Sequence, residues 1–433
     1  MWPYLQVLDP SVTEQFYGYV VAIYSFAQIL GGPLIGYWSH KIKSVKEPII
    51  ICLAISIFGN LLYLCAQTVE KTAYRRYIIL ASRAIIGFSA SIVSLLRSFG
   101  VMASKAEDRS RTVAFITGGF ALGMTTGPAV QLLFTSLNYP GFELFGGVLI
   151  NMYTAPSFVA FVVNAFGIGA IISLFEEKYA GISKKVQVNE NGELEKVQIP
   201  PYDKLAVLIC CFTRFTQMFT YTNLETLGSP MAMTMFALTK KEAVTTVATA
   251  HAFLSTFAFV IYAGFAAKKL DKYVNFRKMC IGGLLLLGLF HIITYSYPFL
   301  PGHLKTYDSS DFYNNTEPVG CNKDRFSWCD TVNPVNIWVF YIAYSVCIGL
   351  AFPGVNLSMN TLYTQIIGPR RQTTLQGIQQ MFGSVARLTG PLIISSIYQA
   401  YGPTISWDIE IVVIAFTIIV HIVYRKRLVP LKV

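Results

Sequence analysis

The sequence predicts an all-α polytopic membrane protein, and three observations lead to that prediction. Hydrophobic residues make up 54% of the 433-residue chain and charged residues only 13%, which is more apolar surface than one soluble core can bury. Eleven apolar stretches are long enough to cross a bilayer as helices. Loops rich in Lys and Arg separate many of them, so the net charge of +11 fits cytoplasmic loops and does not indicate nucleic-acid binding.

The predicted spans form two groups, five before a polar segment and six after it. In the N-terminal half, residues 1–174, they cover 16–38, 48–66, 77–101, 111–133 and 152–174. Residues 175–203 are polar, and we predict that they form the linker between two helical halves. In the C-terminal half, residues 204–433, the spans cover 204–226, 243–266, 276–298, 335–360, 374–397 and 408–424. The long polar loop of this half is 299–334.

The distribution of basic residues predicts the orientation of the chain in the membrane. The loops on one face, which include the turn at Lys41, the linker and the C-terminal tail, hold 22 Lys and Arg residues, against 8 on the opposite face. Cytoplasmic loops carry the excess of Lys and Arg in membrane proteins. We therefore predict a cytoplasmic linker and C-terminus, with the first predicted span beginning on the other side.

The loop 299–334 carries two signs of a luminal or extracellular position. Asn314 begins an Asn-Asn-Thr glycosylation sequence, and Cys321 and Cys329 lie in the same polar loop, whereas the other six cysteines lie in or at the ends of spans. N-glycosylation and disulfide formation both require a non-cytosolic compartment. We predict that Asn314 is glycosylated and that Cys321 pairs with Cys329.

The turn after the first predicted span resembles the signature of the major facilitator superfamily, in which a glycine, three residues, an acid and alternating basic residues join two spans. Gly36, Lys41 and Lys43 match this pattern, while His40 stands where the family has an acid. A looser copy of the signature follows Gly264. Two copies are expected when two six-helix halves arise by duplication.

Glycine-rich stretches in later spans carry the same resemblance. Arg83 with Gly87 resembles the fourth-helix motif of the superfamily, and a GxxxGxxxGP sequence resembles its fifth-helix signature, with a Gly-Pro counterpart in the second half. Small residues at this spacing let helices approach closely, and proline bends them. The residues concerned are Gly87, Gly119, Gly123, Gly127, Pro128, Gly390 and Pro391.

Stretches from both ends of the chain are similar to a lysosomal branch of the superfamily, among them WPYLQVLDP and ARLTGPLIISSIYQAYGP. The resemblance implies a major facilitator fold of two helical halves, a lysosomal or late endosomal membrane, and passage of chloride. In the superfamily the signature turn follows the second span. The resemblance therefore also implies that the usual first span is mostly missing, with MWPYLQ as its tail.

Ionisable side chains inside spans give the sharpest functional prediction, because they must face protein or water. Four arginines lie inside the predicted spans, and we assign Glu225 as the acid of these spans. At about 100° per residue the arginines fall on polar helix faces. The faces are Arg83, Gly87, Ala90, Ser94 and Arg97; Arg214, Gln217, Tyr221 and Glu225; and Gln376, Gln380, Gly383 and Arg387.

We expect these faces to line a central cavity of net positive charge, which favours an anion as the permeant species. The predicted substrate pathway consists of Arg83, Arg214, Glu225, Gln380 and Arg387. Arg97 lies near the cytoplasmic end of its span, where its expected role is to reach the interface.

Some of these residues have alternative roles. Arg83 and Arg387 also fit caps of backbone carbonyls or locks between helices. Glu225 and His251 are candidates for carrying a coupled proton, although a lone histidine in a span is more often a packing residue.

The sequence contains no enzyme signature: there is no glycine-rich phosphate loop, HExxH or nucleophile elbow. We predict no cofactor and no metal site. Three functions remain. The first is passage of small anions, chloride by the family resemblance, through an endolysosomal membrane. The second is proton-coupled transport of a small organic anion, and the third is a membrane scaffold or sorting protein that transports nothing. The predicted partners are the small anion and the lipid bilayer.

Overall fold

The computed structural model describes residues 2–431, except for 10, 13, 70–71, 135–136, 138, 146–147, 183–185, 189–193, 197–198, 268–269, 271–272 and 309–318. Most of the described chain is helical. The helices of its first part are α1 (Trp2–Leu8), α2 (Glu14–Ile42), α3 (Lys46–Leu64), α4 (Thr72–Ser89), α5 (Ile92–Ala103), α6 (Arg109–Leu133) and α7 (Ala155–Leu174). Two small antiparallel sheets join β1 (Phe142–Phe145) to β2 (Val148–Ile150) and β3 (Val186–Val188) to β4 (Leu194–Lys196).

The second part continues with six helices and one short sheet. The helices are α8 (Lys204–Met235), α9 (Lys240–Ala267), α10 (Phe276–Ile293), α11 (Ile337–Ala343), α12 (Gly349–Ile367) and α13 (Thr373–Val423). A π-helical turn, Tyr344–Ile348, joins α11 to α12. The parallel pair is β5 (Thr306–Tyr307) with β6 (Cys321–Asn322).

Helices occupy all eleven predicted spans. Among the described residues, eight helical segments are long and apolar enough to cross a membrane. The 51-residue helix α13 covers two predicted spans, because its backbone breaks at Gly402, where φ is +79°. Helices α6 and α8 lie at two further predicted spans. The prediction of an all-α polytopic membrane protein is confirmed.

The chain folds as two compact units. Unit 1 contains residues 1–112, 122–200 and 369–385, and unit 2 contains residues 113–121, 201–368 and 386–433. The beginning of α13 therefore belongs to the same unit as α2 to α5.

The core of unit 1 is built around α2, α3 and α4. Helix α4 packs against both α2 and α3, and α3 also packs against α7. At Gly87 the backbones of α4 and α2 meet, because a Cβ atom there would lie 2.8 Å from the Cα of Tyr24. The short helix α1 is held by Tyr4, whose ring lies 5.5 Å from that of Tyr63 and 5.3 Å from that of Tyr153.

Unit 2 is built around α12, which packs against α8, α9 and α10. Most residues of α12 are buried, including polar ones such as Asn356 and Asn360. A polar residue in such a position needs hydrogen-bond partners inside the protein. The partners of these two asparagines form part of the candidate site.

The loop between α10 and α11 is closed by the predicted disulfide. Cys321 and Cys329 are bonded, with their Cα atoms 5.8 Å apart. The loop packs on the break in α13, since a Cβ at Gly402 would lie 2.7 Å from Cδ2 of Trp328. The predicted pairing is confirmed. Asn314 lies outside the described residues, so its glycosylation stays a prediction.

Candidate functional site

The basic turn between α2 and α3 lies in unit 1. Gly36 faces the start of α13, where a Cβ on Gly36 would lie 2.6 Å from the carbonyl oxygen of Thr373. His40 and Lys41 are exposed at the end of α2, and Lys43 has a positive φ of 58°. The glycine therefore serves a close backbone approach, while the basic side chains point away from the protein. In the second copy of the signature, residues 268–269 and 271–272 lie outside the described residues.

An acid that the sequence did not predict completes this turn. Glu177, beyond the end of α7, accepts hydrogen bonds from the backbone N–H groups of Val45 and Lys46 at the start of α3. It also accepts from the hydroxyls of Ser44 at 3.0 Å and Tyr179 at 2.9 Å. Burial raises the pKa of Glu177, but these hydrogen bonds lower it more, so the pKa lies below its ordinary value. The carboxylate thus caps a helix N-terminus.

The glycine motif of α6 does not show the expected close packing at two of its positions. A Cβ at Gly119 or Gly123 would meet no atom of the described chain within 4 Å. Gly127 and Pro128 lie inside α6. The counterpart in α13 does pack closely, since a Cβ at Gly390 would lie 2.6 Å from Oδ1 of Asn223 on α8. Pro391 follows it without ending the helix.

Arg83 lies on α4 in unit 1. Its guanidinium carbon is 4.7 Å from the centre of the Tyr24 ring, which is a cation–π contact. Its Nε atom is buried and has no hydrogen-bond partner in the described part of the chain. Gly87, one turn along, brings α2 close enough for this contact. The arrangement leaves a donor of Arg83 available for a ligand.

The predicted polar face from Arg83 to Arg97 does not lie on one continuous helix. The chain turns at Ala90 and Ser91, between α4 and α5, where the N–H of Ser94 donates to the carbonyl of Ser91 at 3.0 Å. The predicted role of Arg97 at the interface is also wrong, because only 3% of this residue is exposed. Its guanidinium is buried in the protein.

Arg214 lies at the centre of a buried hydrogen-bond network in unit 2. Its Nη1 donates to Oε1 of Gln217 at 3.0 Å and to Oδ1 of Asn356 on α12 at 3.1 Å. Asn356 in turn donates to the hydroxyl of Tyr262 on α9 at 3.0 Å, and Asn360 donates to Asn356 at 2.7 Å. The network therefore joins α8, α9 and α12 through one arginine.

Glu225, His251 and Arg387 surround two tyrosines in unit 2. Tyr221 is close enough to Glu225 and Arg387 to interact with both charges, and His251 interacts with Glu225. Nε2 of His251 lies 3.4 Å from the hydroxyl of Tyr344, and Glu225 is exposed. The predicted proton-coupling residues Glu225 and His251 are thus brought together, with Arg387 one tyrosine away.

Gln380 belongs to a row of buried glutamines on the part of α13 in unit 1. The side-chain oxygen of Gln380 and both amide atoms of Gln376 and Gln379 are buried without a hydrogen-bond partner in the described part of the chain. Ser384, one turn further, donates to Oε1 of Gln28 on α2 at 2.8 Å. Buried amides that lack partners are uncommon in a folded protein, and a bound polar ligand would satisfy them.

The structure also shows an intramembrane acid that the sequence analysis missed. Glu410 lies in the last predicted span and is fully buried, as is its partner His291 on α10, with Oε2 and Nε2 2.6 Å apart. Glu225 is therefore not the one acid of the spans. Glu410 was visible in the sequence, three residues after Trp407 in an apolar stretch. Its partner lies 119 residues away, and no sequence spacing indicates the pair.

The fold and these side chains can be compared with known proteins. The family model described as Major Facilitator Superfamily matches residues 1–304. Major facilitator superfamily domain-containing protein 8 from Xenopus laevis is 28% identical over 455 residues, which cover 99% of this chain and 87% of that protein.

Two solved structures share the fold at low sequence identity. The human organic anion transporter MFSD10 matches with a TM-score of 0.65 and 16% identity, over 97% of this chain and 88% of that chain. The Escherichia coli fucose:proton symporter FucP matches with a TM-score of 0.67 and 12% identity, over 98% of this chain and 93% of that chain. At such identities the likeness extends to the fold alone.

Proposed function

The chain belongs to the major facilitator superfamily of membrane transporters, and on this premise we propose that it conducts small anions, chloride foremost, across the membrane of lysosomes or late endosomes. The proposed pathway residues are Arg83, Arg214, Glu225, Gln380 and Arg387. Its substrate is a small anion, and its surroundings are the lipid bilayer.

One observation carries this proposal: arginines lie inside spans without a carboxylate to neutralise them. Neither Arg83 nor Arg387 has an acid within salt-bridge distance among the described residues, and a buried donor of Arg83 is unused. A charge inside a membrane protein is costly and marks an ion or substrate path. Positive charge in such a path attracts anions and excludes cations.

Buried polar groups on the part of α13 in unit 1 also suit a small anion. The buried amides of Gln376 and Gln379 offer unused hydrogen-bond donors without adding charge. An anion that gives up its water needs such donors along its path. The similarity to the lysosomal branch of the superfamily supports chloride as the ion and the endolysosomal membrane as the place.

The proposal is tested by measuring anion flux in liposomes that contain the purified protein. Arg83→Gln and Arg387→Gln keep most of the side-chain length and some donors while they remove the charge. We expect each to reduce chloride flux about tenfold, because the attraction that concentrates the anion is lost. Arg425→Gln is the matched control, since it removes one arginine charge at an exposed position near the C-terminus. Its flux should equal that of the wild type.

Equal chloride flux in the wild type and in both variants, at equal protein content, would contradict the proposal. Loss of folded protein in both variants would instead favour a role of the arginines as locks between helices. No anion flux in the wild type would favour the membrane scaffold or sorting protein.

A second function, proton-coupled transport of a small organic anion, is favoured by one observation. His251 lies 3.4 Å from the hydroxyl of Tyr344 and interacts with the charge of Glu225 in unit 2, and histidine is a common carrier of exchangeable protons. A structural neighbour with the same fold is named as an organic anion transporter. This function predicts a saturable organic-anion flux that a pH gradient accelerates and that His251→Gln uncouples from the gradient.

A further inference from the structure

The buried pair His291–Glu410 stands apart from the proposed anion pathway. His291 lies on α10 and Glu410 on α13, both in unit 2, and neither is exposed at all. The two side chains meet at 2.6 Å, while Nδ1 of His291 lies 2.7 Å from the carbonyl oxygen of Leu287. Trp407 packs on the imidazole, with ring centres 5.5 Å apart.

These distances fix how many protons the pair holds. A carbonyl oxygen only accepts, so Nδ1 of His291 must carry a hydrogen. The contact between Nε2 and Oε2 also needs a hydrogen between the two atoms, because two lone pairs would repel each other at 2.6 Å. One proton is therefore shared by His291 and Glu410, whichever of the two carries it.

Release of this shared proton would leave an unfavourable state. Glu410 would keep a negative charge with no donor on Oε2, and its other oxygen, Oε1, already lacks a hydrogen-bond partner among the described residues. A buried charge without partners is costly. The pair must then separate or admit water. Proton loss is thus linked to a change in the packing of α10 against α13.

A small cavity lies beside Trp407, the residue that packs on His291. It has a volume of about 20 Å³, and its lining includes Trp407, Tyr344 and His251. That volume holds one water molecule. Trp407 both packs on His291 and lines this cavity, so a water in the cavity would be one side chain away from the pair.

Several other titratable groups lie on the elements around the pair. On the segments that pack against α10 they are Tyr341, Tyr344, Cys347 and, on α12, Tyr363. Nearer the loop end, Tyr295 donates to the exposed Asp408 at 3.3 Å. His421, further along α13, is bonded to Thr213 at 2.8 Å. None of the described groups around the pair forms a salt bridge with His291 or Glu410.

We propose that the His291–Glu410 pair is a proton-binding site of unit 2, with the shared proton as its ligand. The site is independent of the identity of the anion, so it does not rest on the proposed function. Because the contact exists only while the shared proton is bound, whichever residue carries it, the packing of α10 against α13 depends on pH.

The experiment compares the wild type with Glu410→Gln in lipid nanodiscs by following the apparent melting temperature from pH 5 to pH 9. Above about pH 6.5 an unfolded histidine is neutral and an unfolded glutamate is ionised. The folded pair then holds one more proton than the unfolded chain, so stability falls as pH rises. We expect a decrease of roughly 1–2 °C per pH unit.

In Glu410→Gln the carboxamide donates to Nε2 of a neutral His291 and keeps the shape of the contact. Its folded and unfolded states then hold the same number of protons above about pH 6.5. In this variant the apparent melting temperature should therefore no longer fall as pH rises. Asp408→Asn is the matched control, because it removes an exposed acid two residues away and should keep the wild-type slope.

A second measurement covers the case in which Glu410→Gln does not fold. The infrared carboxyl and imidazole bands of the wild type and of Asp408→Asn are recorded across the same pH range, together with those of His291→Gln. The proposal expects a titrating band that is present in the first two proteins and lost or shifted in the third. Identical spectra in all three, or equal melting slopes in the wild type and Glu410→Gln, would overturn it. Either result can occur with chloride flux intact, so the two proposals fail separately.

Discussion

Glu177 links three parts of unit 1 through one carboxylate. It caps the N-terminus of α3, accepts from the serine of the basic turn, and orients Tyr179, whose ring lies 4.6 Å from the guanidinium carbon of Arg371. The lowered pKa of Glu177 means that the folded state favours the ionised form of this carboxyl group. Its contribution to stability is present at neutral pH and is lost as pH falls through the folded pKa.

We predict that Glu177→Gln lowers the melting temperature at neutral pH and that the difference from the wild type shrinks below about pH 4.5, the ordinary pKa of the group. A neutral amide oxygen accepts hydrogen bonds more weakly than a carboxylate. The measurement is thermal unfolding at pH 7 and at pH 4.

Glu176→Gln is the control for this prediction. Glu176 is 72% exposed and pairs with Lys178, which is 83% exposed, and such surface pairs contribute little to stability. A loss of stability in Glu176→Gln as large as that in Glu177→Gln would show that the cap is not the cause.

The sequence predicts some residues of the candidate site and misses others for a physical reason. The arginines are found because a charge inside an apolar stretch is visible locally, and the disulfide is found because its two cysteines are eight residues apart. Glu410 was equally visible in its apolar stretch and was overlooked, whereas the contacts of Glu177 and the pairing of Glu410 with His291 cannot be found in this way. Their partners lie 119 or more residues away, so the fold alone brings them together.

The close crossing of α2 and α4 depends on Gly87. We predict that Gly87→Val lowers the melting temperature, because its Cβ would overlap the backbone at Tyr24 and push the helices apart. Overpacking of this kind costs about 1–3 kcal/mol. It should also weaken the contact between Tyr24 and Arg83 and reduce anion flux. The readouts are thermal unfolding and chloride flux.

Gly119→Ala serves as the comparison for this substitution. Its new Cβ would meet no described atom within 4 Å, and alanine favours a helix over glycine by about 0.5–1 kcal/mol. Stability should therefore be unchanged or slightly raised. If Gly87→Val melts like the wild type, the close crossing does not hold in solution.

Hydropathy predicts the positions of the helices well, because the cost of leaving apolar residues in water adds up along each stretch. It does not predict where helices break. The turn between α4 and α5 faces Gly31 of α2, where a Cβ would lie 2.7 Å from the carbonyl of Phe88. The neighbouring helix α2 packs closely against this break, and no local pattern in the sequence marks it.

The orientation of the whole chain in the membrane stays a prediction. We expect Asn314 to be glycosylated in the compartment that also allows the Cys321–Cys329 disulfide. Glycosidase treatment should increase the gel mobility of the wild type and leave Asn314→Gln unchanged. A wild type without any mobility change would remove the glycosylation and weaken the charge-based orientation. Cys329→Ala should still be glycosylated, which separates the two modifications.

The linker at 175–203 predicts a division into two halves, but the grouping of 369–385 with the first helices was not predicted. The start of α13 joins unit 1 through a close approach of Gly377 to Gly32 on α2, where a Cβ on Gly32 would lie 2.8 Å from the carbonyl oxygen of Gly377. Two glycines so far apart in sequence carry no sign of their contact.

The network around Arg214 has a mechanical consequence for unit 2. Helices α8 and α12 share one guanidinium, and Asn356 also ties α12 to Tyr262 of α9. If one of these helices tilted alone, it would have to abandon buried hydrogen bonds that water cannot replace. We therefore expect α8, α9 and α12 to move together when unit 2 changes conformation.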